Sequence, residues 1–259
     1  MLTPNAIRQI ILEQSKRAHV GHIGSALSIT EIITALYRDV LNIPDPNADD
    51  RDRFVLSKGH AALALYAVLY LKGWITQEQL DTFCGNDSQL GVHPEHFLNG
   101  IDFSSGSLGH GLSIGAGAAL AAKIRDATYR VYVLISDAEC NEGSIWEAAQ
   151  FAAQHRLTNL VTILDFNRQQ AFGYTKDVLN QDNVAERWQA FGWHTISVDG
   201  HDTAALTAAM QPNAEEKPTL VIANTTFGKG VSYMENQIKW HYFPMNDEEY
   251  AQARQENEF

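Results

Sequence analysis

Cysteine is scarce in this sequence, with only Cys84 and Cys140 among 259 residues. Two thiols make no disulfide framework, and neither stands in a metal-ligand spacing, so a cytoplasmic protein with reduced thiols is expected. Basic residues are also short: 19 Lys and Arg face 31 Asp and Glu, for a net charge of −12. That balance argues against a nucleic-acid partner or an anionic membrane surface. Any phosphate must then be held locally, by backbone N–H groups, a metal and a few histidines. No apolar run approaches the roughly 18–20 residues of a membrane span. The opening MLTPNAIRQIILEQSKR lacks the charged head, apolar core and cleavage site of a signal peptide. There is no internal repeat and no low-complexity segment. What remains is ordinary globular composition, 45% hydrophobic and 19% charged, enough to fill one domain over residues 1–259.

The most informative stretch runs from Val131 to Gln169. Two apolar, β-branched runs, Val131–Ile135 and Leu160–Leu164, flank a segment with Ile145, Ala148, Ala149 and Ala152 at helical spacing. This predicts a strand–helix–strand unit of a parallel sheet. Asp137 follows the first strand and Asn167 the second, so both would emerge at the carboxyl edge, where open parallel sheets bind ligands. Mg²⁺ takes one or two protein oxygens and completes its octahedron with phosphate and water. A carboxylate, an amide oxygen and a nearby carbonyl would therefore suit Mg²⁺ on a diphosphate. The competing reading is structural: Asp137 caps a helix and Asn167 sits in a turn. Cys140 reads as a small buried side chain.

Elsewhere, Thr3-Pro4 opens a helix over 4–16 with Ile7, Ile10, Ile11 and Gln14 on one face. Ser28 to Glu31 has the form of a capping box, followed by a helix with Ile29, Ile32, Ile33, Leu36 and Val40 as its apolar face. The polar stretch 42–53 is a surface loop, and Phe54–Leu56 a short strand leading through a turn into a helix over 61–72. A further helix is expected over 76–83, and SSGSLGHG opens another over 112–125, where free amides at a helix start make a natural anion site. Strands at 194–198 and 219–224 bracket a helix at 203–210. The fold expected is α/β, a mostly parallel sheet with helices on both faces. Among ten histidines, His22, His60, His93 and His241 each lie in a turn or loop, three of them beside Gly or Pro.

These motifs together resemble the transketolase family. The 30-residue spacing from Asp137 to Asn167, with Glu142-Gly143 between, is similar to that family's thiamine diphosphate signature. GHIGSALS, SKGHA and VHPE are similar to its three histidine loops, and SSGSLGHG to its Gly-Ser-Leu-Gly-Gln-Gly turn, with His110 where Gln is common. QAFGYT, WQAFGWH, VDGHD and TTFGKGVSYMEN followed by WH keep the family order, so nearly the whole chain is covered. Three departures stand out. Ser136 and Ala138 replace glycines, where a left-handed conformation would cost roughly 1–2 kcal/mol. Tyr242 follows His241 where glycine is common.

The resemblance implies thiamine diphosphate and Mg²⁺ as cofactors, with the metal on Asp137, Asn167 and the carbonyl of Gln169. It implies that His60 and His241 contact the diphosphate, with Gly106, Leu108, Gly109 and Ala138 lining the same pocket. His93 would hydrogen-bond the donor sugar, while His22 and His241 would handle the proton of the donor hydroxyl, work that suits a group titrating near neutrality. Glu142 would join a carboxylate network between paired sites, or simply be a helix-start Glu favoured by the dipole. The aminopyrimidine ring needs a carboxylate that the family places in a second, pyrimidine-binding domain, for which little chain follows His241. The expectation is the N-terminal subunit of a two-chain transketolase. It would pair with a separate C-terminal subunit, two copies of each, and move a two-carbon ketol unit between sugar phosphates. The alternatives are a subunit of a 2-oxo acid dehydrogenase or deoxyxylulose phosphate synthase type, and a non-catalytic regulatory subunit.

Overall fold

The computed structural model describes residues 1–259. Its first three strands are β1 (Arg53–Leu56), β2 (Val131–Ser136) and β3 (Leu160–Phe166). A two-residue antiparallel hairpin follows, β4 (Gln169–Gln170) with β5 (Gly173–Tyr174), and then β6 (His194–Asp199) and β7 (Thr219–Asn224). The five longer strands form one sheet in the order β1-β2-β3-β7-β6, and every neighbouring pair is parallel. All five carboxyl ends therefore open on one edge.

Side chains alternate across a strand, and the two apolar clusters divide the sheet accordingly. Tyr132, Leu134, Val161, Ile163, Val221 and Ala223 face one way. There they meet α1 (Pro4–Ala18), α2 (Ile23–Ser28), α3 (Thr30–Ala35) and α4 (Ala62–Leu71). Val131, Val133, Ile135, Leu160, Leu164, Leu220 and Ile222 face the other way. After the short α5 (Gln77–Leu80), that second layer is built from α6 (Gly111–Ile124) and α7 (Gly143–Gln154). Beyond it come α8 (Thr175–Val178), α9 (Val184–Ala190), α10 (Thr203–Ala209), α11 (Lys239–Tyr242) and α12 (Asp247–Glu256). The central strands are buried on both faces, which is why their sequences are continuous apolar runs.

Two expectations are corrected. Ser28 and Glu31 form no capping box. Ser28 is the last residue of α2, and its hydroxyl donates to Asp165 rather than to a helix N–H. Glu31 is drawn instead to Arg8 and His201. The helix expected there is Thr30–Ala35 continued by one π turn, Leu36–Val40, and a separate helix, Ile23–Ser28, precedes it across Ile29. The helix expected over 76–83 shrinks to Gln77–Leu80, where the capping box does exist: Thr76 accepts from Gln79 N and Gln79 returns the bond.

Candidate active site

Asp137 leaves β2 and starts a 3-10 turn, Ala138–Asn141, without using its side chain as a cap. Neither Ser136 nor Ala138 has a positive φ, so replacing glycine there costs no left-handed strain. The Asp137 carboxylate is fully buried. One oxygen, Oδ2, accepts from Arg168 N at 2.8 Å and Thr175 Oγ1 at 3.0 Å. The other, Oδ1, is buried with no partner at all. Burial, and then the neighbouring Asp165, push the Asp137 carboxyl up to about 7.

Asn167 leaves β3, the neighbouring strand. Its Nδ2 donates to Asp165 Oδ2 at 2.9 Å and Ser28 Oγ at 3.2 Å, which turns Oδ1 outward to accept from Gln169 N at 2.9 Å. An amide oxygen keeps a second lone pair. A carboxylate oxygen in search of a cation, an oriented amide oxygen and the Gln169 backbone form an all-oxygen set suited to Mg²⁺. The residues therefore fit the metal, and a cation here would reverse the upward shift of Asp137.

Beside this pair lies a cavity of about 410 Å³. His22, His60, His93 and His241 all line it, together with Gly106, Leu108, Ala138, Glu142, Asn167 and Gln169. The rings of His22, His60 and His241 form a triangle with centroids 5.4–5.7 Å apart. Sequence distance is bridged by backbone. His22 adopts a left-handed φ of 61° and donates its N–H to the His241 carbonyl at 3.3 Å. At Gly21 a Cβ would lie 2.4 Å from the Tyr242 carbonyl oxygen, so only glycine admits this crossing. The side chain of Tyr242, which stands where the family commonly has glycine, points outward and donates to the Ala171 carbonyl.

Burial, helped by His93, lowers the His22 pKa. Burial and then Lys58 hold His60 well below its usual value, and burial with His22 brings His241 down to about 4. At neutral pH these imidazoles are uncharged and able to accept a proton. The Nδ1 atoms of His22 and His241 are buried and unpartnered.

The glycine-rich turn before α6 is only partly the free anion site expected. Gly109 N donates to Glu139 Oε1 at 2.9 Å, and Gly111 N to Ser57 Oγ at 3.1 Å. A buried carboxylate of the protein itself takes the place of an external anion at the first of these amides, and a hydroxyl at the second. Gly109 is buried at φ 86°, just behind the cavity wall that Gly106 and Leu108 form. His110 is exposed, and Glu142 is an exposed residue at the start of α7 with no capping bond. Cys140 is buried, and burial raises its thiol pKa.

Sequence reasoning missed several side chains. Lys58 and Asp165 form a completely buried ion pair under Asn167. Glu139 holds the Gly109 turn, and Ser25 meets His60 Nε2 at 3.1 Å. Asp165 and Lys58 carried a signal: a charge inside or beside an apolar strand must be paired or functional.

A larger, shallower groove of about 910 Å³ between α7 and α9 contains no histidine and no orphaned buried atom. By contrast, of ten buried side-chain atoms without a partner, six belong to Asp137, Gln169, Gln170, His22 and His241. Native interiors rarely leave such atoms unsatisfied. Their concentration makes the histidine cavity the candidate ligand site.

Comparison with known proteins identifies the family. The family model described as "Transketolase, thiamine diphosphate binding domain" matches residues 2–259. The chain is 44% identical over 253 residues to an apulose-4-phosphate transketolase subunit of Phocaeicola vulgatus, covering 96% of this chain and 90% of that one. It is 40% identical over 254 residues to a 6-deoxy-6-sulfo-D-fructose transketolase subunit of a Clostridium species, covering 96% and 92%. The crystal structure of Campylobacter jejuni transketolase superposes with a TM-score of 0.93 at 32% identity, over 99% of this chain but only 42% of that one. This chain therefore belongs to the transketolase thiamine diphosphate binding domain family.

Proposed function

We propose that this protein is the cofactor-binding subunit of a two-chain transketolase, residues 1–259 acting as one diphosphate-binding domain. The observation that carries the reading is the buried, unpartnered Asp137 Oδ1 beside the oriented Asn167 amide at the edge of the histidine cavity. Asp137, Asn167 and the Gln169 carbonyl would hold Mg²⁺ for the diphosphate of thiamine diphosphate. His60 and His241 would line the diphosphate with Gly106, Leu108 and Ala138, while Gly109, tied to Glu139, would hold their turn from behind. Thiamine diphosphate, when bound, supplies the carbanion chemistry that carries a two-carbon ketol unit from a ketose to an aldose.

The chain's own residues supply position and proton transfer. His22 and His241, held uncharged by burial, take the proton of the donor hydroxyl as the carbon–carbon bond breaks. His93, exposed at the cavity mouth, hydrogen-bonds the sugar. Glu142 lies on the exposed side of α7, where it can join a carboxylate network with a second site. The exposed Phe172, Val178 and Tyr242 gather around the same mouth. An apolar rim of this kind suits the separate chain that brings the pyrimidine-binding domain. Two copies of each chain, in the cytoplasm, complete the assembly.

Related subunits are named for a ketose phosphate and for a sulfonated ketose. A ketose with an anionic far end is the proposed donor class, with an aldose as acceptor.

The test is a two-carbon transfer assay on this chain purified with its partner from the native source, with thiamine diphosphate and Mg²⁺. Transfer that requires both chains is expected. A co-purifying complex that turns over only 2-oxo acids would overturn the chemistry assigned here.

A further inference from the structure

Gln170 sits in the cavity wall, 4% exposed, and its side-chain Nε2 is buried without an acceptor. It is the last member of a chain of four side chains. Arg187 NH1 donates to Gln181 Oε1 at 2.8 Å, Gln181 Nε2 to Asn141 Oδ1 at 2.5 Å, and Asn141 Nδ2 to Gln170 Oε1 at 3.1 Å. The direction of this chain is fixed at its origin. A guanidinium can only donate, so it turns the Gln181 oxygen toward itself and the Gln181 nitrogen toward Asn141. The same choice is forced on Asn141 and then on Gln170. The free end must be an N–H donor and cannot be an oxygen.

A series of hydrogen bonds that starts at a full positive charge polarises each amide in turn and strengthens the last donor. A buried donor left without an acceptor also lowers stability, so its retention points to a ligand that completes it. The ligand atom must accept. Gln170 directly follows Gln169, whose carbonyl is the proposed metal ligand, and it is three residues from Asn167. This places it at the end of the cavity proposed for the diphosphate, whose non-bridging oxygens are anionic acceptors.

We propose that Gln170 is a cofactor-binding residue whose Nε2 donates to a diphosphate oxygen, with Arg187, Gln181 and Asn141 as the positioning relay that sets its direction and strength. The assignment rests on the reading of this cavity as a thiamine diphosphate site. It adds a protein donor to that site that is independent of the metal. It also links the cavity to α9, the surface helix that carries Arg187.

The experiment is calorimetric titration of thiamine diphosphate, at fixed Mg²⁺, into the two-chain complex carrying Gln170→Glu, Gln170→Met or Arg187→Met, with Asp137→Ala as reference. Gln170→Glu keeps an oxygen for Asn141 Nδ2 and replaces only the N–H, so the expected loss of affinity is tenfold or more. Gln170→Met, which adds no charge, should lose three- to tenfold. Arg187→Met, remote from the cavity, should lose two- to fivefold. The melting temperature of the unliganded Gln170→Met complex should stay close to wild type, because the change exchanges one unsatisfied donor, Gln170 Nε2, for another, Asn141 Nδ2. A Gln170→Glu or Gln170→Met complex that binds within twofold of wild type while Asp137→Ala does not bind overturns the proposal and leaves the site reading intact. So does an unchanged affinity accompanied by a raised KM for the ketose alone. A wild-type complex that fails to bind overturns both.

Discussion

Arg51, Asp52 and Asp102 lie by the amino ends of the strands, and Asp137, Gln169 and Gln170 by the carboxyl ends. The two groups treat burial in opposite ways. Arg51 grips Asp102 through two bonds, NH2 to Oδ1 at 2.7 Å and NH1 to Oδ2 at 3.0 Å. Asp52 accepts from Arg130 N at 2.7 Å with one oxygen and from Asn42 N at 2.9 Å with the other. At the opposite edge, Asp137 Oδ1, Gln170 Nε2 and both amide atoms of Gln169 are buried with no partner. Aspartate is fully partnered at one edge and half-partnered at the other. What separates them is whether the protein satisfies its own hydrogen bonds, a distinction that residue type alone does not make.

Breaking a satisfied pair should hurt stability most. Asp102→Ala strands a buried guanidinium, 9% exposed, and is expected to cost about 3–5 kcal/mol. Urea denaturation would measure it, and cofactor affinity in the folded fraction should not change. A loss below about 1 kcal/mol, the scale of an exposed pair, would erase the contrast between the edges.

His93→Ala should leave cofactor affinity alone and lower kcat/KM for the ketose by about 10–100-fold, a loss on the scale of single proton-handling or substrate-contacting groups. Equal rates in wild type and variant would remove His93 from the site. Gly109→Ala adds a Cβ at a φ of 86°, 2.7 Å from the Glu142 Cβ. Its cost in stability should be about 1–2 kcal/mol from the backbone alone, read as a lower melting temperature, and the displaced turn should also weaken cofactor binding.

The smallest effect expected is that of acid. His60 and His241 titrate below 6.5 in the folded protein, so between those values the unfolded chain binds more protons and stability falls as pH falls. Asp137, raised from 3.8 to about 7, acts in the opposite sense, since its folded form holds the extra proton. His22, His60 and His241, all lowered, outnumber Asp137 and Glu139, both raised, so the ligand-free protein should lose stability as pH falls from about 6 to 5. Denaturation curves at the two pH values give the sign. A protein more stable at the lower pH than at the higher would contradict the neutral state assigned to the histidines.

Much of this is legible in the residues themselves. The strand–helix–strand unit from Val131 to Phe166 follows from apolar periodicity, and the histidines of the cavity from their places in turns. Local pattern misleads at Ser28 and Glu31, where tertiary partners, Asp165 and Arg8, outcompete the cap. It also misses Gln170 and Glu139. Amides and carboxylates in loops are usually solvated, and nothing in the sequence says that these two are buried. Ser136 and Ala138 are suspect as replacements for glycine, yet the observed turn has no need of a left-handed residue.

The most direct test of the account is Mg²⁺-dependent binding of thiamine diphosphate by the two-chain complex, wild type against Asp137→Ala, followed by calorimetry and, with Mn²⁺ in place of Mg²⁺, by electron paramagnetic resonance. The account predicts saturable, metal-dependent binding in the wild type and at least a hundredfold loss in the folded variant. Equal affinity in the two complexes would contradict it.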